Sequence, residues 1–239
     1  MKFLHCYRNY GLLQKYPFLG IFSLGEKHME QKQYWNEVSS TKEFTIPIDA
    51  ELFTRYVGKE DLILDVGCGY GRVLNELYEH GYQNLIGIDF SKGMIDRGHR
   101  QFPYLDLREK TDEKIDLEDD SVDAVILFAV LTCIYKDEEQ KTLIDEIRRV
   151  LKPGGILYIS DYLLGEDERN IKRYEEFAPV FGTYGVFELP EGAICRHHSQ
   201  DYIVSLFEEF ETREFFPTTF VTMNGHKSKG FCYFGQKIK

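Results

Sequence analysis

The sequence has no long basic run. Its 29 Lys and Arg are outnumbered by 40 Asp and Glu, giving a net charge of −11. Nucleic-acid phosphates and anionic lipid surfaces attract clustered cations, so the composition speaks against both as partners. The nearest approach to a basic cluster, Arg148–Arg149 with Lys152, falls where a helix should end and complements the helix dipole there. Paired cysteines are missing too. Cys6, Cys68, Cys133, Cys195 and Cys232 are odd in number, widely spaced and free of any CxxC. Neither a disulfide framework nor a metal site is indicated, and reduced thiols in a cytoplasmic protein are the simplest expectation. The longest apolar run, Ala124–Leu131, is too short to span a bilayer. Lys2, His5, Arg8, Asn9 and Lys15 break up the hydrophobic residues of the N-terminus, which does not read as a signal peptide. Repeats and low-complexity tracts are absent.

What remains is ordinary globular composition, 43% hydrophobic and 29% charged over 239 residues, enough for one large domain with a small appended lobe. Between Asp61 and Asp161 short apolar runs alternate with amphipathic stretches, the pattern of repeated βα units around a parallel sheet. Leu62–Val66 reads as a buried strand, followed by a helix through Val73, Leu74, Leu77 and Tyr78. Asn84–Asp89 and Val122–Phe128 read as strands, and a weak signal near Tyr104–Arg108 supplies another. Glu138–Leu151 is a helix stopped by Pro153 and Gly154, with the strand Ile156–Ser160 after it.

Beyond that, Gly165–His198 lacks a clean period and reads as a cap, so an insertion is expected at about 163–200. Tyr202–Phe210 looks helical, and Glu211–Phe216 and Gly230–Gln236 read as strands joined by a long connection. Residues 1–50 are expected to form an N-terminal helical arm or cover, and residues 51–239 the main domain. Met1–Lys27 attach loosely to this plan, and Met29 is an alternative start.

The chemistry concentrates at Ile63–Arg72, ILDVGCGYGR. A strand running into Gly67-Cys68-Gly69-Tyr70-Gly71 and then a helix makes a ligand-binding turn, because glycines permit positive φ and close approach to the backbone. No Lys-Ser/Thr follows, so the turn is not a phosphate-cradling P-loop. Asp65 stands two residues before the first glycine, where an anion repels pyrophosphate but suits an ammonium group. Asp89 ends the next strand about 18 residues after Gly71, placed to accept ribose hydroxyls. An ammonium, a ribose and no phosphate describe S-adenosylmethionine.

ILDVGCGYGR, IGIDFSKGMI (Ile86–Ile95), IDLEDDSVDAVILFAVLTCI (Ile115–Ile134) and VLKPGGILYISDY (Val150–Tyr162) occur in that order. On these four segments the chain resembles the class I (Rossmann-like) S-adenosylmethionine-dependent methyltransferases. The resemblance implies an α/β, doubly wound, mostly parallel seven-stranded sheet with an antiparallel last strand. It implies that Asp65, Gly67, Cys68 and Gly69 adjoin the methionine part of the cofactor and that Asp89 holds its ribose. Phe90 and Met94 would pack near the adenine, Thr111–Asp112 would contact it, and Phe128 would face the cofactor. Arg72 has two readings, a partner for the cofactor carboxylate or a surface residue. Cys68 reads as a small residue at a backbone contact rather than a nucleophile.

For the acceptor, one of His197 and His198 is a candidate base, as is Asp161. Tyr34 and Tyr162, and Tyr174 with Tyr184 and Phe187 in the cap, are candidate substrate contacts. Trp35, Lys42, Phe44 and Thr45 could cover the cofactor, with packing as the alternative. The fourth strand ends without a metal-binding carboxylate and without the Asn/Asp-Pro-Pro-aromatic tetrapeptide of enzymes that methylate adenine or glutamine amino groups. A small-molecule substrate is therefore preferred, with methylation of a protein or peptide, a non-catalytic cofactor-binding module and a nicotinamide-dependent oxidoreductase as rivals.

Overall fold

The structure, a computed structural model, describes residues 24–238, with side chains from Gln31 onward. Most of the Met1–Lys27 segment lies outside the described residues. Helix α1 (Leu24–Val38) and the single turn α2 (Ala50–Phe53) precede β1 (Ile63–Val66), α3 (Arg72–Glu79), β2 (Leu85–Asp89), α4 (Lys92–Gln101) and β3 (Asp106–Glu109). Then follow β4 (Val122–Phe128), a 3-10 turn (Leu131–Cys133), α5 (Asp137–Val150) and β5 (Leu151–Tyr162). After β5 the chain leaves the sheet through α6 (Glu168–Phe181) and the small hairpin β6 (Val186–Glu188) and β7 (Ile194–Arg196). It returns through α7 (Gln200–Leu206) to β8 (Phe210–Val221) and β9 (Lys227–Lys237).

The seven-stranded sheet has the order β3-β2-β1-β4-β5-β9-β8. β1 to β5 are parallel, and β9 runs antiparallel to both of its neighbours. Period-2 alternation divides the core between two faces. Ile63 of β1 joins the cluster that α3 covers with Leu74 and Leu77. Leu64 and Val66 join the opposite cluster, covered by Ile144, Ile147 and Val150 of α5. Tyr78, expected on the packed face of α3, instead stacks on Tyr104 at 4.5 Å on the surface.

Two features explain where the sequence pattern was weak. β3 is an edge strand in which only Leu107 is buried, so it lacks a hydrophobic signature. The long connection expected before the last strand does not exist. β8 continues through Pro217 to Val221 and turns over residues 222–226, with Gly225 at φ 78. Pro217 is tolerated because β8 is an edge strand whose outer edge needs no ladder donors.

A buried arginine of α4 leads the contacts that fasten the segment before β1 to the βα core. Arg97 of α4 donates to the carbonyls of Ser39 and Lys42, pairs with Glu43, and lies over the Tyr70 ring at 3.8 Å. Asn36 of α1 accepts from Ser91 Oγ and Gly93 N, both at 2.9 Å, at the start of α4. Phe44 stacks on Tyr70 at 5.2 Å, inside the glycine turn. Replacing Arg97 by Ala leaves two carbonyls without their donor, and we expect a loss of about 2–3 kcal/mol in denaturant unfolding. Arg97→Lys should recover little of it, since an ammonium cannot reproduce the planar fork.

Candidate active site

In an open parallel sheet ligands collect where the strand order reverses, outside the carboxyl ends of the strands. That point here lies between β1 and β4. A cavity of about 1170 Å³ opens there. Its floor is the turn after β1, the ends of β2 and β4, and the residues just beyond. Its roof comes from three places: α1 and the strand-like stretch through Phe44 and Thr45, the inserted segment after β5, and the β8–β9 turn.

Asp65 is 2% exposed, and its Oδ2 has no hydrogen-bond partner. Burial raises its pKa to about 7, with the Arg72 charge pulling down and Asp89 pushing up. A carboxylate so placed lacks a cation. Because its pKa lies above the ordinary carboxylate value, the unliganded fold keeps this proton below pH 7 and loses stability as pH rises through that value. Asp89 is differently placed. Its Oδ2 accepts Gly69 N at 2.9 Å and its Oδ1 accepts Ser91 N at 2.8 Å, so it joins the glycine turn to the start of α4. Burial raises its pKa to about 6, against the pull of those two N–H groups and of Lys32.

The remaining cofactor candidates sort themselves by position. Gly67, Cys68, Arg72, Phe90, Met94, Thr111, Asp112 and Phe128 all face the cavity. Gly69 does not. The Phe44 ring occupies the place its Cβ would take, and with φ +57 the residue must be glycine. Arg72 is tied to Glu76 and to the Ile46 carbonyl, yet its Nε stays buried and unpartnered. Burial and both carboxylates push the Cys68 thiol far up, so it is no nucleophile.

Of the acceptor-side and cofactor-covering candidates, Tyr34, Trp35, Phe44, Thr45, Tyr162, Phe187 and His197 line the cavity, and five others do not. Asp161 is fully buried, accepting Tyr162 N at 2.7 Å and Thr132 N at 3.2 Å, which makes it the cap of the 3-10 turn rather than a base. His198 bonds the Tyr162 carbonyl through Nδ1 and meets Gln140 through Nε2 at 2.8 Å, pinning the returning chain to the end of β5. Burial and Arg196 lower its pKa to about 3, so it stays neutral as a packing residue. Tyr174 is buried behind the wall and Tyr184 lies half exposed outside it. Phe187 and Tyr162 form the aromatic wall instead. Lys42 pairs with Glu191 at 3.2 Å above the mouth.

His197 keeps its place on the wall but not the role of base. The Tyr174 hydroxyl receives Gly165 N at 3.2 Å and stands 2.6 Å from His197 Nδ1, its one acceptor, so it donates there. Nδ1 then carries no proton, and the neutral ring holds its proton on Nε2. Burial first, then Arg173, drive its pKa well down.

Sequence reasoning missed Ala129 and Val130, on the wall just past β4, and Arg169, Arg173 and Met223, on the roof. Ala129 had a signal only in place: it follows the strand at the reversal point, and its φ of 53 is rare for a residue with a side chain. The roof residues had none.

A family model described as a methyltransferase domain matches residues 64–159. The eEF1A lysine and N-terminal methyltransferase of Bos taurus is 31% identical over 111 residues, 42% of this chain and 16% of that protein. The chain thus spans only a small part of that relative. The ubiquinone/menaquinone biosynthesis C-methyltransferase of Campylobacter jejuni is 29% identical over 171 residues, 67% of this chain and 68% of the relative. The crystal structure of an S-adenosylmethionine-dependent methyltransferase from Methanosarcina mazei superposes with a TM-score of 0.74 at 27% identity, covering 78% of this chain and 97% of the other. Strand order, the turn after β1 and these likenesses agree: residues 64–159 form a methyltransferase domain, and the chain is similar in sequence and fold to the class I (Rossmann-like) S-adenosylmethionine-dependent methyltransferases, whose cofactor is S-adenosylmethionine.

Proposed function

We propose that this chain transfers the methyl group of S-adenosylmethionine to a small-molecule acceptor enclosed beneath the inserted segment. The observation that carries the reading is Asp65 Oδ2, a buried carboxylate oxygen without a partner, at the strand end where the family's cofactor ammonium belongs. In this reading Asp65 takes the ammonium, and Asp89 uses its remaining lone pairs for the ribose hydroxyls. Arg72 offers Nε to the cofactor carboxylate, Phe90 and Met94 flank the adenine, and Thr111–Asp112 meet its edge. The cofactor supplies a methyl carbon on a sulfonium; as the acceptor's lone pair bonds that carbon, the carbon–sulfur pair returns to sulfur. The protein's part is to align the two and exclude water.

A volume of about 1170 Å³ exceeds what one ligand needs, leaving space for a second small one. The roof favours an acceptor that fits inside over a folded protein, since Lys42, Glu191, Asn224, Thr45 and the Val221 carbonyl join across the mouth. The protein acceptor named for the bovine relative belongs, on this view, to that enzyme. A cytoplasmic setting fits the free thiols of Cys68, Cys133, Cys195 and Cys232, and among the described residues no helix is long and apolar enough to cross a membrane.

Asp65→Asn removes the charge but keeps the shape. We expect affinity for S-adenosylhomocysteine to fall by about tenfold or more in calorimetry, with thermal stability unchanged or raised because a buried charge is gone. Tight binding by the folded variant would refute the assigned role. The raised pKa gives a second check. A ligand that needs Asp65 ionised should bind about tenfold more weakly at pH 6 than at pH 8, as the pKa of about 7 implies; a flat profile would mean that no cation meets Asp65. Finally, incubation of the protein with labelled cofactor and small-molecule extracts should yield S-adenosylhomocysteine. Tight cofactor binding without any turnover would favour a non-catalytic module.

A further inference from the structure

The wall opposite the glycine turn contains a charge that the methyl-transfer reading leaves unused. Arg173 of α6 lies flat on the Phe187 ring, 3.5 Å from its centroid, with its edge in the cavity. Among the described residues it forms no ion pair, and its Nε is buried without a hydrogen-bond partner. The nearby carboxylates are taken: Asp167 holds Arg169 at 3.8 Å and caps α6, and Glu191 holds Lys42 at 3.2 Å. An arginine half withdrawn from water, with the Tyr174 hydroxyl and the His197 ring beside it but no carboxylate to neutralise it, is expensive to keep.

Its relation to His197 is the more telling feature. Arg173 Nη2 stands 3.5 Å from His197 Nε2. A guanidinium nitrogen can only donate, and the Tyr174 hydroxyl on Nδ1 leaves the His197 proton on Nε2. Two donors therefore point into one space, and neither satisfies the other. Tyr162 stacks on the imidazole at 5.2 Å and holds the ring in that orientation. The electrostatic surroundings agree, since Arg173 and Arg169 both add positive potential at His197.

We infer, building on the methyl-transfer reading, that the acceptor carries a carboxylate seated between the Arg173 guanidinium and the His197 Nε2–H. A carboxylate oxygen accepts from both donors, relieves their confrontation and neutralises Arg173. One fixed cation matches one negative charge; a phosphate dianion would keep an uncompensated charge in a wall half shielded from water. Phe187 and Tyr162, beside the seat, suit an apolar or aromatic body behind the carboxylate. The carboxylate is a handle that orients the acceptor, and Arg173 and His197 are binding residues.

The test uses the full chain saturated with S-adenosylhomocysteine and three probes: benzoate, its neutral analogue benzamide, and phenyl phosphate. Calorimetry or ligand-observed NMR should show benzoate binding at least about tenfold more tightly than benzamide. Arg173→Gln should lose about tenfold or more of the benzoate affinity while its affinity for S-adenosylhomocysteine is unchanged. Absence of benzoate binding, equal binding of benzoate and benzamide, or wild-type benzoate affinity in Arg173→Gln would each overturn the inference. A preference for phenyl phosphate would overturn the choice of carboxylate. Should Arg173→Gln fail to fold, the benzoate and benzamide comparison on the wild-type chain decides alone. Failure of the wild-type chain to bind S-adenosylhomocysteine would strike the methyl-transfer reading instead.

Discussion

The two backbone bonds received by Asp89 organise the floor of the cavity. One oxygen holds the amide of Gly69 and the other the amide of Ser91. A single side chain thereby fixes the turn after β1 against the first turn of α4. Each oxygen uses one lone pair on the protein and keeps another for a ligand. Asp65 lies one strand over with no comparable support. The pair differs in kind: one carboxylate is built into the backbone, and the other keeps a buried oxygen without a hydrogen-bond partner, at an energetic cost.

The roof is assembled on different terms. Its elements come from both sides of the βα core in sequence, and polar contacts rather than a continuous apolar core join them at the mouth. Glu191 meets Lys42 from the segment before β1 and Asn224 from the β8–β9 turn. Such exposed polar contacts are individually worth little. The segment through Phe44 is held far more firmly at its other end, where Arg97 is buried beneath it. The roof therefore has a fixed root and a weakly joined rim, a natural arrangement for admitting and releasing small ligands.

These differences decide what was legible in the sequence. Floor residues are constrained by backbone geometry, and geometry leaves marks: a run of glycines at a turn and a carboxylate at a strand end. Asp65, Asp89, Phe90, Met94 and Phe128 could be placed for that reason. β3 and the full length of β8 were obscured because edge strands tolerate polar residues and proline. In the roof, the pair His197–His198 looked alike in sequence, and only packing assigned one to the wall and the other to the end of β5. Asp161 misled because a buried cap and a catalytic base draw on the same residue type at the same strand end. Arg173 gave no sign at all, since an arginine in an amphipathic helix is ordinarily a solvated one.

The placing of β9 has a consequence for how the molecule is made. Order along the chain and order across the sheet part company there, since the last described strand fills the interior position between β5 and β8. During synthesis β5 leaves the ribosome about 65 residues before its outer neighbour, with a long unpaired edge that invites wrong partners. The β8–β9 hairpin closes that edge and, in the same movement, carries Met223 and Asn224 over the cavity. A nascent chain thus has its cofactor floor well before it has either a sealed sheet or a complete roof.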